Sequence, residues 1–406
     1  MRGPVVVTGT GLVTPAGIGT EATWAGVCAG RPTARPDPGL AGLPVAFSAR
    51  APELGPDQLT VRQPWRYDRS TLLLFAAAQE ALADAGLSSA DWDGTRVALV
   101  VGSAAGGVAT LEAQHGRLLA DGPGSVSPLT MTGFLPNMTT GHLALRLGIT
   151  GPSLHTSTAC ASGASAVITA ALLLATGQCD LALAAGTDAM VTPLCAAAFA
   201  KMGALSRRHD DPARASRPFD RDRDGFVLAE GAGVLVLEHA AHARARRARP
   251  LATLAGYAAT GDAHHATAPD PEGTALRRAV TTALTMAGAG PGDVDHINAH
   301  GTSTPLNDRA EAAAIRRLHP HHRPTVTSAK GVLGHTMGAA GAVEAVLTLL
   351  SVGRQLAPPT ANFVAPDQDT DGLDIVAGAA RPQRIDLALS HSLGFGGHNT
   401  VLVFTR

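Results

Sequence analysis

One segment restricts the fold more than any other. Residues 160–177, CASGASAVITAALLLATG, read as a helix from Cys160 to Gly177 that is apolar on nearly every face. A helix with no polar stripe has no side to turn to water, so it is buried deep. The rest of the chain must supply covering layers on both sides of it.

The pattern around this helix supplies them. In the first half, strands are expected at Val5–Thr8, Val97–Val101, Leu181–Ala185 and Gly231–Glu238. A helix spans Ser70–Gly86 and is closed by Gly86 at its C′ position. The polar run HAAHARARRARP, His239–Pro250, marks a junction and divides the chain into 1–249 and 250–406. The alternation then repeats. Strands are expected at Leu251–Tyr257, Val294–Asn298 and Thr325–Ser328, and helices at Gly273–Ala287, Asp308–Leu318 and Ala339–Val352. Leu387–Ser392 and Thr400–Phe404 form a terminal hairpin. Strands alternating with helices give an α/β layered fold. Two such halves suggest two sheets that share a layer of buried helices, with the Cys160 helix in that layer. Two stretches stand outside this alternation: a Gly-, Ser-, Thr- and Pro-rich excursion at 103–140, of a kind that is usually functional, and a charged loop at Arg207–Asp224.

Composition agrees with a core of closely approaching backbones. The 406 residues are 45% hydrophobic but only 3% aromatic, with 46 glycines. A net charge of −1 provides no field for nucleic acid or an anionic membrane, and so few rings leave no base-stacking platform. Cys28, Cys160, Cys179 and Cys195 form no C-x-x-C pair, which excludes a disulfide scaffold or a Cys-type zinc site. The first residues lack the long apolar core of a secretory signal. Other apolar runs are too short or too Gly-rich to span a bilayer. A cytoplasmic protein is expected.

Four stretches carry candidate chemistry. Cys160 falls at the N-terminus of the apolar helix, where free N–H groups and the helix dipole favour a thiolate; small neighbours leave space at its sulfur. That stretch alone is equally compatible with a small packed cysteine. In NAHGTSTPLNDRAE, His300 follows a strand at its carboxyl end, where α/β proteins place ligands, and Thr302 and Thr304 add hydroxyls. A zinc pair of His296 and His300 would need a helix that Gly301, Thr302 and Pro305 break, so no metal is expected. In TSAKGVLGHTMGAAGAVEAV, Lys330 closes a strand and His335 sits in a glycine-rich turn opening a helix. In SHSLGFGGHNTVLVF, glycines flank Phe395 in a turn that can present a backbone N–H and swing a ring. The early GTG is not a dinucleotide fingerprint, because Thr14 stands where the third glycine belongs.

Together the pieces TACASGA, RPFDRDRDGFVLAEGAG, NAHGTSTPLND, SAKGVLGHTMGAAGAVE and GFGGHN resemble the β-ketoacyl-acyl-carrier-protein synthases of fatty acid and polyketide assembly. They occur in the family's order and span nearly the whole chain. The resemblance implies a thiolase-like, five-layered αβαβα fold. It implies that Cys160 takes an acyl chain as a thioester and that His300 and His335 hold the malonyl thioester and assist decarboxylation. The N–H groups of Cys160 and Phe395 would form the oxyanion hole. Lys330 would orient the site through Glu344 and Glu311, with Asp308 in support. Thr302 and Thr304 would bind the phosphopantetheine arm, Phe199 would line the acyl pocket, and Phe395 would be the gate. Acyl carrier protein is the implied partner, and no cofactor is implied beyond its arm.

Two departures bear on the partner and the gate. The common NSFGFGG is HSLGFGG here, with His391 for Asn and Leu393 for Phe. Thr130 stands where fatty-acid-type members often carry an aromatic near the dimer interface. A small residue there points to the catalytic subunit of a type II polyketide synthase, paired with a chain-length factor that lacks the cysteine. A homodimeric fatty-acid synthase component is the closest rival, and a silent chain-length factor is the non-enzyme alternative. A thiolase lacks its second, late cysteine here, and a chalcone-synthase-like enzyme would carry Asn in place of His335. Arg207, Arg208, Arg214 and Arg217 either meet an acidic carrier protein or form a solvated loop.

Overall fold

The computed structural model describes residues 3–59 and 61–406. The first half contributes β1 (Val5–Thr14), β2 (Val97–Gly102), β3 (Ser153–Thr156), β4 (Leu181–Ala189) and β5 (Glu230–His239). The second contributes β6 (Ala252–Gly261), β7 (His296–Asn298), β8 (Thr325–Thr327), β9 (Asp374–Ile375), β10 (Leu387–Gly394) and β11 (His398–Thr405). The helices used below are α1 (Arg69–Asp84), α2 (Val108–Asp121), α3 (Thr130–Phe134), α4 (Asn137–Leu147) and α5 (Ser162–Ala175). After them come α6 (Thr274–Met286), α7 (Pro305–Leu318) and α8 (Ala340–Arg354).

The strand path repeats. The first sheet runs β3-β2-β4-β5-β1 and the second β9-β8-β7-β10-β11-β6, joined where Val5–Val7 pair with Ala252–Leu254. In each half the opening strand pairs antiparallel with the last strand, which is itself antiparallel to its predecessor. The remaining pairs are parallel.

Three cores account for five layers. Ala164, Val167 and Ala171 of α5 pack with Ala342, Val343 and Val346 of α8, between Leu235 of β5 and Leu402 of β11. On the outer face of the first sheet, Leu73, Leu74 and Ala77 of α1 cover Leu99 and Val236. On the outer face of the second, Leu276 and Val280 of α6 and Ile315 of α7 cover Ile297, Leu389 and Val401. The middle layer depends on missing side chains. A Cβ on Gly163 would lie 2.7 Å from the Ala342 nitrogen, and one on Gly341 would lie 2.5 Å from the Ala164 nitrogen. Among the described residues, the one helical stretch long and apolar enough to cross a bilayer is 337–354, and it is buried in this layer.

Three expectations need correction. Helix α5 begins at Ser162, so Cys160 lies in the preceding turn, after Ala159 at φ 50°. Residues 103–140 are largely helical rather than a loop. They form α2, α3 and the start of α4, which the Gly, Ser, Thr and Pro of this stretch disguise as loop, and α2 has no buried residue. Lys330 does not close a strand: β8 ends at Thr327, and Lys330 opens the single turn Lys330–Leu333. The junction run holds a short helix, Ala240–Ala245.

Candidate active site

The carboxyl ends of β3, β7, β8 and β10 converge on one cavity of about 320 Å³. Cys160, His300, His335, Thr302, Thr304, Phe199 and Phe395 all line it. Cys160 thus meets His300, 140 residues on, and His335, 175 residues on, because each follows a strand or strand–helix connection at the same end of the layered sheets.

The two imidazole rings lie 5.4 Å apart at 83°. Phe226 meets His335 edge-on at 5.4 Å and Phe199 at 5.4 Å, which forms an aromatic wall. The Met337 N–H donates to His335 Nδ1 at 3.3 Å. Lys330 Nζ faces His300 Nδ1 at 3.4 Å. An ammonium or amide can only donate, so each Nδ1 accepts and the ring proton resides on Nε2. Burial holds both rings well below the usual histidine range, and the Lys330 charge adds to this. Both are neutral N–H donors.

Burial also pushes the Cys160 thiol up to about 12; Lys330 opposes that, while Asp188 and Glu344 add to it. The sulfur is therefore a thiol at rest, against the expectation of a thiolate, because desolvation outweighs the nearby helix end. Gly394 presses on this turn: a Cβ there would lie 2.3 Å from the Thr158 oxygen and 3.3 Å from the Cys160 nitrogen.

The carboxylates divide differently from the expectation. Lys330 pairs with Glu344, whose carboxyl burial pushes up to about 7 against the pull of Lys330. Glu311 has no described contact with Lys330. It accepts from the backbone N–H groups of His300 and Gly301, each at 2.8 Å, and from His391 Nδ1 at 3.1 Å. Asp308 stays outside the cavity and accepts from Phe219 N at 2.7 Å and Ser303 N at 3.2 Å. It fastens the charged loop to the His300 loop. Thr302 and Thr304 share a hydrogen bond of 2.9 Å, and Thr304 caps α7.

Family models for the N-terminal and C-terminal domains of β-ketoacyl synthases match residues 2–243 and 251–364. This chain belongs to the β-ketoacyl synthase family. It is an acyltransferase-class enzyme with the thiolase-like fold. The synthase is 41% identical to the 3-oxoacyl-[acyl-carrier-protein] synthase 2 of Synechocystis sp., covering 99% of this chain and 98% of that protein. Among solved structures it is similar to the ishigamide ketosynthase/chain length factor, at TM-score 0.94 and 33% identity over the whole of both chains. A type II polyketide synthase acyl-carrier protein in complex with its ketosynthase bound to the hexaketide matches at TM-score 0.92 and 31% identity, again over both whole chains.

Two expected residues fall elsewhere in the synthase. Thr130 opens α3 and does not line the cavity of the single chain. Arg217 is not a surface cation: it is buried and paired with Asp220 at 2.8 Å. Phe226, Met337 and Asp188 were missed. Asp188 accepts from Ser103 Oγ at 2.6 Å, Ala104 N at 2.8 Å and Gly338 N at 2.7 Å, and so ties the turn after His335 to the loop after β2. Burial raises its carboxyl to about 6. An acid inside an otherwise apolar strand, LALAAGTDA, was the signal for it.

Proposed function

We propose that the synthase performs the decarboxylative condensation of a malonyl thioester with an acyl chain held on Cys160, as the catalytic ketosynthase subunit of a type II polyketide synthase. The observation that carries this is the shared cavity, in which one thiol faces two neutral imidazoles that both offer Nε2–H. In the first half-reaction the Cys160 sulfur attacks a carrier-bound acyl thioester. The new thioester forms, the old C–S bond breaks, and the cysteine proton ends on the departing phosphopantetheine thiol. Lys330 and the α5 N-terminus ease the transient thiolate, and the N–H groups of Cys160 and Phe395 hold the tetrahedral oxyanion. In the second half-reaction the malonyl thioester oxygen accepts from His300 and His335 while its C–carboxylate bond breaks and CO₂ leaves. The enolate carbon attacks the Cys160 thioester, a C–C bond forms, the C–S bond breaks, and the departing cysteine thiolate takes a proton from solvent water. Lys330, held by Glu344, keeps His300 in the donor tautomer.

Thr302 and Thr304 bind the phosphopantetheine arm, Phe199 lines the acyl channel, and Phe395 gates it. Each step uses this chain's residues and carrier-bound thioesters, so we propose no resident cofactor or metal. The halves 1–249 and 250–406 supply the nucleophile and the two donors. The partner is acyl carrier protein, together with a chain-length-factor-like subunit in the cytoplasm. Edge strand β3, with Leu154 42% exposed, and exposed Leu118, Met131 and Leu145 on α2–α4 support a second subunit there. Thr130 would lie on that contact. The higher identity to the Synechocystis protein favours the second reading, a homodimeric fatty-acid-type synthase.

Incubation with acyl- and malonyl-carrier proteins, with and without a candidate partner subunit, followed by intact-protein mass spectrometry, tests the reading. Elongation only with the partner is expected, and none from Cys160→Ala. A Cys160→Ala variant that still elongates overturns the mechanism; a fully active homodimer overturns the heterodimer.

A further inference from the structure

The His300 loop is held from outside itself. Gly301 sits at φ 40° with Ser328 so close that a Cβ would lie 2.6 Å away, and Ser303 sits at φ 70°. Two left-handed residues in three do not hold their shape by local preference when one of them is serine. The fixing comes from Ser328 Oγ, which donates to the Gly301 carbonyl at 2.8 Å, and from Glu311, whose two oxygens each take one backbone N–H of His300 and Gly301.

Glu311 is itself completely buried, and among the described residues its side chain has one further hydrogen-bond partner. That partner is His391, 1% exposed, on β10 and eighty residues away, with Nδ1 3.1 Å from Glu311 Oε1. A carboxylate only accepts, so the proton sits on Nδ1 and is donated. The other ring nitrogen, Nε2, is buried without a hydrogen-bond partner among the described residues. An imidazole with one stranded nitrogen fills space poorly compared with a leucine, so its bond to Glu311 is what the ring contributes. Strand β10 is independently fixed. It pairs with β11 along Leu387–Gly394 and with β7 at Ala388–Ser390. His391 therefore steadies Glu311 from a rigid strand, and Glu311 steadies the loop.

We infer that His391 is a positioning residue for condensation: through Glu311 it fixes where His300 presents its Nε2–H. The inference rests on the condensing role given above to His300. It separates the half-reactions, because Cys160 acylation draws on the turn before α5 and the Phe395 turn, and decarboxylation draws on His300.

The test uses the full chain with His391→Leu, of comparable bulk, and His391→Asn, whose amide also donates. Acylation of Cys160 is followed by intact-protein mass, and CO₂ release from malonyl-carrier protein by rate. His391→Leu is expected to acylate within about 2-fold of the parent but to decarboxylate roughly 10- to 100-fold more slowly through a displaced donor. His391→Asn is expected to recover most of that loss. If His391→Leu does not fold, Glu311→Gln, which turns one acceptor into a donor at the same shape, is expected to show the same split. Equal loss in both half-reactions, no loss in either, or an Asn variant as slow as the Leu variant overturns the positioning role. A parent chain that neither acylates nor decarboxylates overturns the condensing function itself, a result distinct from all of these.

Discussion

Ser103 follows β2 in the first half where His300 follows β7 in the second. The two loops leave matching strands of the repeated path, yet only the His300 loop lines the cavity. The Ser103 hydroxyl is spoken for, donating to Asp188 at 2.6 Å and accepting from Gly106 N at 2.8 Å, and its loop goes on to launch the exposed helices α2–α4. The His300 loop stays short, and its ring faces the cavity. The entries to the central helices differ in a parallel way: Cys160 precedes α5, and His335 precedes α8. Each half thus donates one helix entry to the site, but the second half adds a strand-end donor that the first converts into an anchor. A duplicated scaffold does not require duplicated chemistry, because the loops at its strand ends are free to differ.

The largest effect that sharpens this contrast is on rate. His300→Ala should lower decarboxylation roughly 10²- to 10³-fold, the usual cost of one lost oxyanion donor, and Ser103→Ala should leave that step within about 3-fold of the parent. Stopped-flow CO₂ release on both variants decides it; equal losses would mean that the two strand ends share the work.

The next effect concerns strand interiors. Strand β2, VALVVG, is apolar and buried throughout, whereas β7 carries His296, fully buried against Thr325 and Thr327. Burial lowers His296 to about 4 from 6.5. A depressed histidine contributes stability that is complete above pH 6.5 and is lost as pH falls toward 4, up to about 3 kcal/mol. Asp188, raised to about 6, acts in the opposite sense, since protonation below that pH relieves its burial. His296→Gln should therefore flatten the loss of stability between pH 6.5 and 4.5 in urea titrations. Parallel curves for parent and variant would remove His296 as the source of acid sensitivity.

The smallest effect probes where the halves are alike. Gly163→Ala and Gly341→Ala each push a Cβ onto backbone across the α5–α8 contact, and each should cost about 1–3 kcal/mol. Thermal unfolding that lowers Tm for one variant and not for the other would show that the contact is not shared evenly.

Much of the layered arrangement was legible from sequence. A helix apolar on all sides needs cover on all sides, and the repeat of strand–helix alternation named the two sheets that give it. Cys160, His300 and His335 stood out together through the family resemblance, and the fold brings all three to one cavity. The excursion was not legible, since its Gly-, Ser-, Thr- and Pro-rich composition reads as loop although α2, α3 and the start of α4 are helical. Nor was the division of the carboxylates. Nothing along the chain says that Glu311 answers to the His300 backbone and to His391 rather than to Lys330, because those partners meet through tertiary packing. The thiol state of Cys160 was misjudged for a related reason: helix position is visible in sequence, and depth of burial is not.

The glycine contacts between α5 and α8 have a consequence for diversification. Where two helices touch through bare backbone, no side chain remains to be enlarged or trimmed. The two helices that follow the Cys160 and His335 turns are therefore closed to gradual mutation at Gly163 and Gly341. New substrate preferences in a chain built this way have to arise in cavity-lining side chains such as Phe199, Leu306 and Leu393, while the helix contact behind the site passes unchanged from one specificity to the next.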